Sequence, residues 1–313
     1  MAGFGICMAQ SGQHIPTGNT VPATLAQNPD SLSQYQPIPV SLKPLPAKRR
    51  KWGWWLLILI ALYFLAPFRT NILLLGTDRT EGVNIGRSDT MILTSIVPLL
   101  PNVVMLSIPR DLWVTIPGVG EDRINTAHFY AEANQPGSGP QAALETIQTN
   151  FGVRVSRYIS INFDGFVEMV NAVGGVDIEL KQDEGGLSAG MHHLDAGETL
   201  AFVRERYSSD DFFRMAHGQM VLRAMALKMA NPVNWGRWPG VIAGLSQAVQ
   251  TNLPIYDWPR LGLALVRAAL TNSINSRVLD RDYVTPFTTD QGANILLPNW
   301  DAIRPLIVDL FAP

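Results

Sequence analysis

The run Asn71-Ile72-Leu73-Leu74-Leu75-Gly76-Thr77-Asp78-Arg79 decides the fold class. An apolar stretch of strand length stops at a glycine and a polar segment. It therefore reads as a buried strand that delivers a loop. That loop reaches Gly86-Arg87-Ser88-Asp89-Thr90. Two further strand-like runs follow, Met91 to Val97 and Asn102 to Ile108. Pro98-Leu99-Leu100-Pro101 between them predicts a turn, and hence a hairpin. The second run ends at Pro109-Arg110-Asp111. Glu121-Asp122-Arg123-Ile124-Asn125-Thr126-Ala127-His128 then returns to polar character and enters a helix.

Downstream, Gln141 to Phe151 reads as a helix and Tyr158 to Phe163 as a strand. Asp164 to Ala172 reads as a helix with Asp164 as its N-cap and Gly174-Gly175 as its stop. Val176 to Leu180 is another strand. Phe212, Met215, Leu222, Met225 and Met229 recur at helical spacing and predict a helix over 212–229. Residues 233–313 read as helix-like segments between Trp- and Pro-bearing loops, closing with a helix at Trp300–Phe311. The pattern is that of an α/β domain, and no internal repeat is visible.

Upstream, residues 1–47 are rich in Pro, Gln, Ser, Thr and Gly and have no hydrophobic periodicity, which is the composition of a disordered tail. Lys48-Arg49-Arg50-Lys51 follows, and then Trp52 to Phe68 runs without a charge. A basic run before an apolar stretch with aromatic ends predicts a single membrane-crossing helix over 52–68. Its cytoplasmic tail would be 1–51, and the domain 69–313 would lie outside the cell membrane. The competing reading is a cleaved signal peptide. The long tail and the lack of a small-x-small site favour an uncleaved anchor.

The formal net charge is -2, which gives no global basic signature for nucleic acid. A single cysteine, Cys7, excludes a disulfide framework within the chain. There is no zinc spacing, P-loop, G-x-S-x-G or nucleophilic cysteine outside the tail. His192-His193 falls in a Gly-rich turn. His128 and His217 have stronger claims to a site, and each competes with a buried structural role.

Charged residues cluster after the apolar strands, as Asp78, Arg79, Arg87, Asp89, Arg110, Asp111, Arg123 and Asn125. They recur in Phe202-Val203-Arg204-Glu205-Arg206 and in Asp211-Phe212-Phe213-Arg214. If Arg204 and Arg206 are extended they share a face. If a helix starts near Asp211, Arg214 lies one turn on. Paired guanidiniums suit phosphate or pyrophosphate, and the alternative is a structural ion-pair network. Asp78 and Asp89 offer hard oxygen ligands for magnesium.

These residues, in this order, resemble the LytR-CpsA-Psr proteins of bacterial cell envelopes. The carriers are Leu75-Gly76-Thr77-Asp78, Arg87-Ser88-Asp89-Thr90, Ser107-Ile108-Pro109-Arg110-Asp111, Arg123-Ile124-Asn125-Thr126-Ala127, Val173-Gly174-Gly175-Val176 and the 202–214 cluster. The resemblance implies a three-layer α/β/α sandwich with a mixed central sheet. It also implies a membrane-anchored phosphotransferase. Such an enzyme moves a glycopolymer with its linking phosphate from a polyprenyl-pyrophosphate carrier to a peptidoglycan sugar hydroxyl, with pyrophosphatase activity in vitro. The carrier's isoprenoid chain would lie in a hydrophobic pocket of the sheet.

In family terms Asp78 and Asp89 hold Mg2+ (or Mn2+), and Arg87, Arg110, Arg204, Arg206 and Arg214 hold the pyrophosphate. Arg110, Asp111 and Asp211 are the catalytic candidates, and Arg123, Asn125 and Gln219 the acceptor or phosphate contacts. The partners implied are the lipid-linked glycopolymer, peptidoglycan and the membrane. The chain departs from the family where Arg-Gln is usual and His217-Gly218 stands, with Gln219 adjacent. Arg123 stands where lysine is common. A non-catalytic scaffold or regulator that binds the pyrophosphate lipid is the alternative function. A transcriptional attenuator fits less well, since a membrane anchor is expected and no DNA-binding motif is present.

Overall fold

The computed structural model describes residues 52–65, 68–78, 88–100, 102–205 and 211–311. The tail 1–51, Arg79, Arg87 and Arg206 lie outside the described residues. The leading helix is α1 (Trp52–Leu65), and the strands of the expected hairpin region are β1 (Thr70–Thr77), β2 (Ser88–Val97) and β3 (Asn102–Ile108). A small hairpin, β4 (Trp113–Ile116) and β5 (Gly120–Arg123), precedes α2 (Thr126–Asn134) and α3 (Gly139–Phe151). Then come β6 (Arg157–Asn162), α4 (Phe163–Val173), β7 (Val176–Leu180), β8 (Gly190–Leu194), α5 (Ala196–Arg204) and α6 (Asp211–Ala230). A 3-10 turn at Pro232–Arg237 leads to α7 (Trp238–Ala248), β9 (Val249–Thr251), α8 (Asp257–Leu270), β10 (Ile274–Val278), β11 (Val284–Thr288), β12 (Asn294–Pro298) and α9 (Trp300–Phe311).

The central sheet has the order β10-β3-β2-β1-β6-β9. It is mixed, because β1–β2, β2–β3 and β6–β9 run antiparallel while β1–β6 and β3–β10 run parallel. Side-chain alternation divides its apolar residues between two cores. Leu73, Leu75, Met91, Leu93, Leu106 and Ile108 face α2, α3 and α9. Ile72, Ile92, Ile96, Val103 and Met105 face α6 and α8. Helices therefore cover both faces, and the interiors of the central strands β1, β2 and β3 are largely apolar because neither side meets water.

Several expectations need correction. The cap of α4 is Asn162, whose side chain accepts from the Gly165 N–H at 2.8 Å, and not Asp164, which sits within the first turn. Phe202 to Arg204 are helical, not extended. The reciprocal bonds between Asp195 and Glu198 start α5, and the helix runs through Arg204. The C-terminal third adds β9 to β12 as well as helices, with β10 forming an edge of the central sheet. Of the span 52–68 read as an anchor, the described helix covers 14 residues, about 21 Å at 1.5 Å per residue, and residues 66–67 lie outside the described residues. No helix among the described residues is long and apolar enough to cross a membrane.

Candidate active site

The strand directions bring the site together. β1, β3 and β6 end at one edge of the sheet, and antiparallel β2 begins there. In open α/β sheets ligands bind beyond such strand ends. The β1–β2 ladder pairs Gly76 with Thr90 and Thr77 with Ser88. Asp89 is thus one residue too many for its partner strand, and a bulge of this kind re-aims the side chain it carries. Gly76 serves the same feature, since a Cβ there would come within 3.0 Å of Thr90 Cβ. Asp78 follows β1 directly.

Asp89 meets Arg110, which leaves the end of β3. Arg110 Nη1 donates to Asp89 Oδ1 at 2.7 Å. The same guanidinium lies 3.5 Å from Asp111 Oδ2 through Nε and 3.8 Å from Asp211 Oδ1 through Nη2. Arg123, on β5, reaches Asp111 Oδ1 at 3.6 Å. Arg214 reaches Asp211 Oδ1 at 2.5 Å one turn along α6, as its spacing predicts. Three carboxylates and three guanidiniums therefore interlock at the sheet edge, all of them partly open to solvent. Burial disfavours the Arg110 charge, but the Asp89 hydrogen bond and the charges of Asp211, Asp89 and Asp111 outweigh it and raise its pKa above the ordinary guanidinium value.

The remaining predicted residues fall into distinct places. Arg204, exposed at the end of α5, lays its guanidinium over the Phe163 ring at 4.6 Å. Phe163 opens α4 just beyond β6, so Arg204 belongs to the same edge, beyond β1. The Asn125 N–H donates to the Arg110 carbonyl at 3.2 Å, and its buried Oδ1 has no hydrogen-bond partner. Buried Ser88 Oγ, next to Asp89, is likewise unpartnered. Gln219 departs from its expected substrate contact. It is buried, and its amide donates to Ser107 Oγ at 2.8 Å and to the Arg277 carbonyl at 2.7 Å, tying α6 to β3 and β10.

His217 is fully buried inside the domain. Its ring stacks on Phe202 at 4.3 Å, and its Nε2 lies 3.1 Å from Glu184 Oε1. Gly185 closes over this pair at φ +61°, where a Cβ would overlap the Phe202 ring. Sequence reasoning missed Phe163 and Glu184. Glu184 precedes Gly185-Gly186, and that sharp turn was its only trace.

Magnesium needs hard oxygen donors, and it is held by one or two carboxylates together with substrate phosphates. Asp78 and Asp89 suit that role in donor chemistry, and the unpartnered Ser88 and Asn125 oxygens lie at the same edge. The described residues contain no group of three acidic, histidine or cysteine side chains that could cage a metal by themselves. The fit is therefore to an ion shared with a phosphate ligand.

A second feature lies further along α6. A cavity of about 310 Å³ lies between the sheet and the helices α4, α6, α7 and α8. Its walls are almost wholly apolar and include Leu74, Met105, Leu222, Met225, Trp238 and Trp258. Helix α6 carries Asp211 and Arg214 in its first turn, and its later turns form one wall of the cavity.

The LytR_cpsA_psr family profile matches residues 67–288. A relative from Oceanobacillus iheyensis, named polyisoprenyl-teichoic acid–peptidoglycan teichoic acid transferase TagU, is 38% identical over 189 residues. That match covers 58% of this chain and 58% of the relative. One of the same name from Bacillus cereus is 35% identical over 58% of this chain and 60% of its own length. The chain thus matches less than two thirds of these relatives. A solved structure described as TagT bound to LIIa-WTA superposes with a TM-score of 0.64 at 26% identity, covering 77% of this chain and 89% of that one. Bacillus subtilis TagT gives 0.62 at the same identity and coverage. With its profile matched from 67 to 288 and its fold shared with these structures, the chain belongs to the LytR-CpsA-Psr family.

Proposed function

We propose that this chain is a phosphotransferase that moves a glycopolymer, with its linking phosphate, from a polyprenyl-pyrophosphate carrier to a sugar hydroxyl of peptidoglycan. One observation carries the proposal. A charged cluster suited to a pyrophosphate and an apolar cavity suited to a lipid chain are built on one helix, α6. The names of the relatives support a transferase acting in the cell wall.

Arg110 and Arg214, with Arg204, Arg87 and Arg206, hold the pyrophosphate oxygens. Guanidinium forks bind them in pairs and stabilise the charge that develops during phosphoryl transfer. The acceptor hydroxyl oxygen bonds to the phosphorus next to the glycopolymer. The bond from that phosphorus to the bridging oxygen breaks, and polyprenyl monophosphate leaves. Asp111 or Asp211 takes the hydroxyl proton, and Arg123 and Asn125 orient the acceptor. Asp78 and Asp89 would hold Mg2+ (or Mn2+), which would supply further neutralisation of phosphate charge. The basic run Lys48–Lys51 and the uncharged stretch from Trp52 to Phe68 support a single N-terminal anchor, with the tail cytoplasmic and the domain outside.

The test is turnover of a polyprenyl-pyrophosphate sugar by the full chain with magnesium and peptidoglycan. Transfer that disappears in Arg110→Ala and Asp211→Ala supports the enzyme. Tight carrier binding without turnover would replace it with a binding scaffold.

A further inference from the structure

The cavity has an opening, and the surface around that opening is unusual. Its exposed lining residue is Arg223 on α6, and its half-buried ones include Leu222 on α6, Trp238 on α7, and Trp258 and Leu265 on α8, so these three helices present part of the lining to solvent. Just ahead of Trp238 stand Val233 and Trp235, which are 87% and 55% exposed. Just ahead of Trp258 stand Ile255 and Tyr256, at 86% and 63%. Ile242 adds another exposed apolar side chain on α7. Scattered exposed hydrophobics need no explanation, but a set carried by the segments that lead into the cavity lining marks a contact surface.

The chemistry of this rim selects its partner. From Asn231 to Tyr256 the chain has no acidic side chain, and its one charge is Arg237. The Arg237 guanidinium lies against Gly174, whose carbonyl accepts from Lys228 Nζ at 2.8 Å, so two cations sit beside the rim. Trp and Tyr beside aliphatic residues, with Arg237 as the one charge between Asn231 and Tyr256, suit the headgroup region of an anionic bilayer. Helix α1 points the same way. It is apolar on every side, its Trp54, Trp55, Leu57 and Leu59 are exposed, and it packs on α8, one of the helices that line the cavity.

We propose that the rim formed by Val233, Trp235, Ile242, Ile255 and Tyr256 seats in the bilayer interface and opens the cavity directly to lipid. A long-chain carrier would then enter from the membrane without exposing its tail to water. The use of the opening rests on the carrier reading given above, whereas the docking can be measured by itself.

The experiment uses the full chain in vesicles of phosphatidylglycerol and phosphatidylcholine. On a Cys7→Ser background, an environment-sensitive fluorophore is placed at Val233→Cys or, as a control, at Val119→Cys in the β4–β5 turn. Quenching by bromine-labelled acyl chains should be at least about threefold stronger at 233, since apolar side chains at an interface reach the acyl boundary. Equal quenching at the two positions overturns the docking. In the double variant Val233→Asp, Ile242→Asp, turnover of a bilayer-embedded carrier should fall about tenfold, while that of a water-soluble short-chain carrier stays within about twofold. Loss with both carriers, or with neither, also overturns it. Should the parent chain turn over neither carrier, the transferase reading fails and the quenching result still decides the docking.

Discussion

Asp89 and Arg110 join neighbouring antiparallel strands through a 2.7 Å ion pair at the edge of the sheet. The strand ladder alone would not aim Asp89 there. The bulge between Gly76-Thr77 and Ser88-Thr90 does so. Arg110 is thereby fixed among three carboxylates, its Nη1, Nε and Nη2 each directed at a different one.

Arg110→Lys should lower transfer about a hundredfold, because an ammonium cannot reproduce a planar fork that addresses several oxygens. Stability should change by about 1 kcal/mol or less, since the pairs are partly solvated. The raised pKa of Arg110 also has a consequence. The stability it contributes is present below the ordinary guanidinium value and is lost only as pH rises through a still higher one. An alkaline fall in rate at moderate pH would therefore come from another group. Steady-state kinetics and thermal unfolding across pH check both points.

Gln219→Leu should cost about 2–3 kcal/mol, because Ser107 Oγ and the Arg277 carbonyl each lose a buried donor. Urea unfolding measures the cost. A variant of unchanged stability with a collapsed rate would instead assign Gln219 to the substrate.

Ala226→Phe fills part of the cavity from α6. A ring growing into empty apolar space should leave stability within about 1 kcal/mol of the parent. Binding of a long-chain carrier should weaken about tenfold while a short-chain one binds as before, because the pocket and not the charged edge is altered. Competition binding with carriers of two lengths decides the matter.

Asp177→Asn tests a site remote from the chemistry. The His193 hydrogen bond, helped by Lys228 and opposed by desolvation, holds the Asp177 carboxyl below its ordinary value. Its stabilisation is present above the ordinary carboxylate pKa and is lost as pH falls through the lower folded-state value. The amide should flatten that acid limb. Because Asp177 is half exposed, the loss near neutral pH should stay below about 1 kcal/mol. Urea midpoints at neutral and acid pH give the comparison.

The long elements were legible because their apolar runs are bounded by turn residues. β1 ends at Gly76-Thr77, β2 and β3 flank Pro98–Pro101, and α4 stops at Gly174. β10 was not, because an edge strand reading Ile-Asn-Ser-Arg-Val buries little beyond Ile274. Phe202-Val203-Arg204 imitated strand alternation, although Asp195 and Glu198 already carried the spacing of a helix start. The pairing of Asp211 with Arg214 followed from helical spacing, whereas the bulge at Asp89 depends on a partner strand that no local pattern names. Gln219 was misplaced for a reason that could have been seen. Five residues from Arg214 turn a helix by about 140°, which carries its side chain away from the charged face.

Helix α6 also acts as a ruler. Arg214 and Leu222 stand eight residues apart on one rigid rod, about 12 Å along its axis. A ligand that engages both must change from ionic to greasy over that span, whatever sugar it bears. For such a ligand, recognition would be metric: swapping the glycan would leave it untouched, whereas one added or deleted helical turn between these residues would throw head and tail out of step.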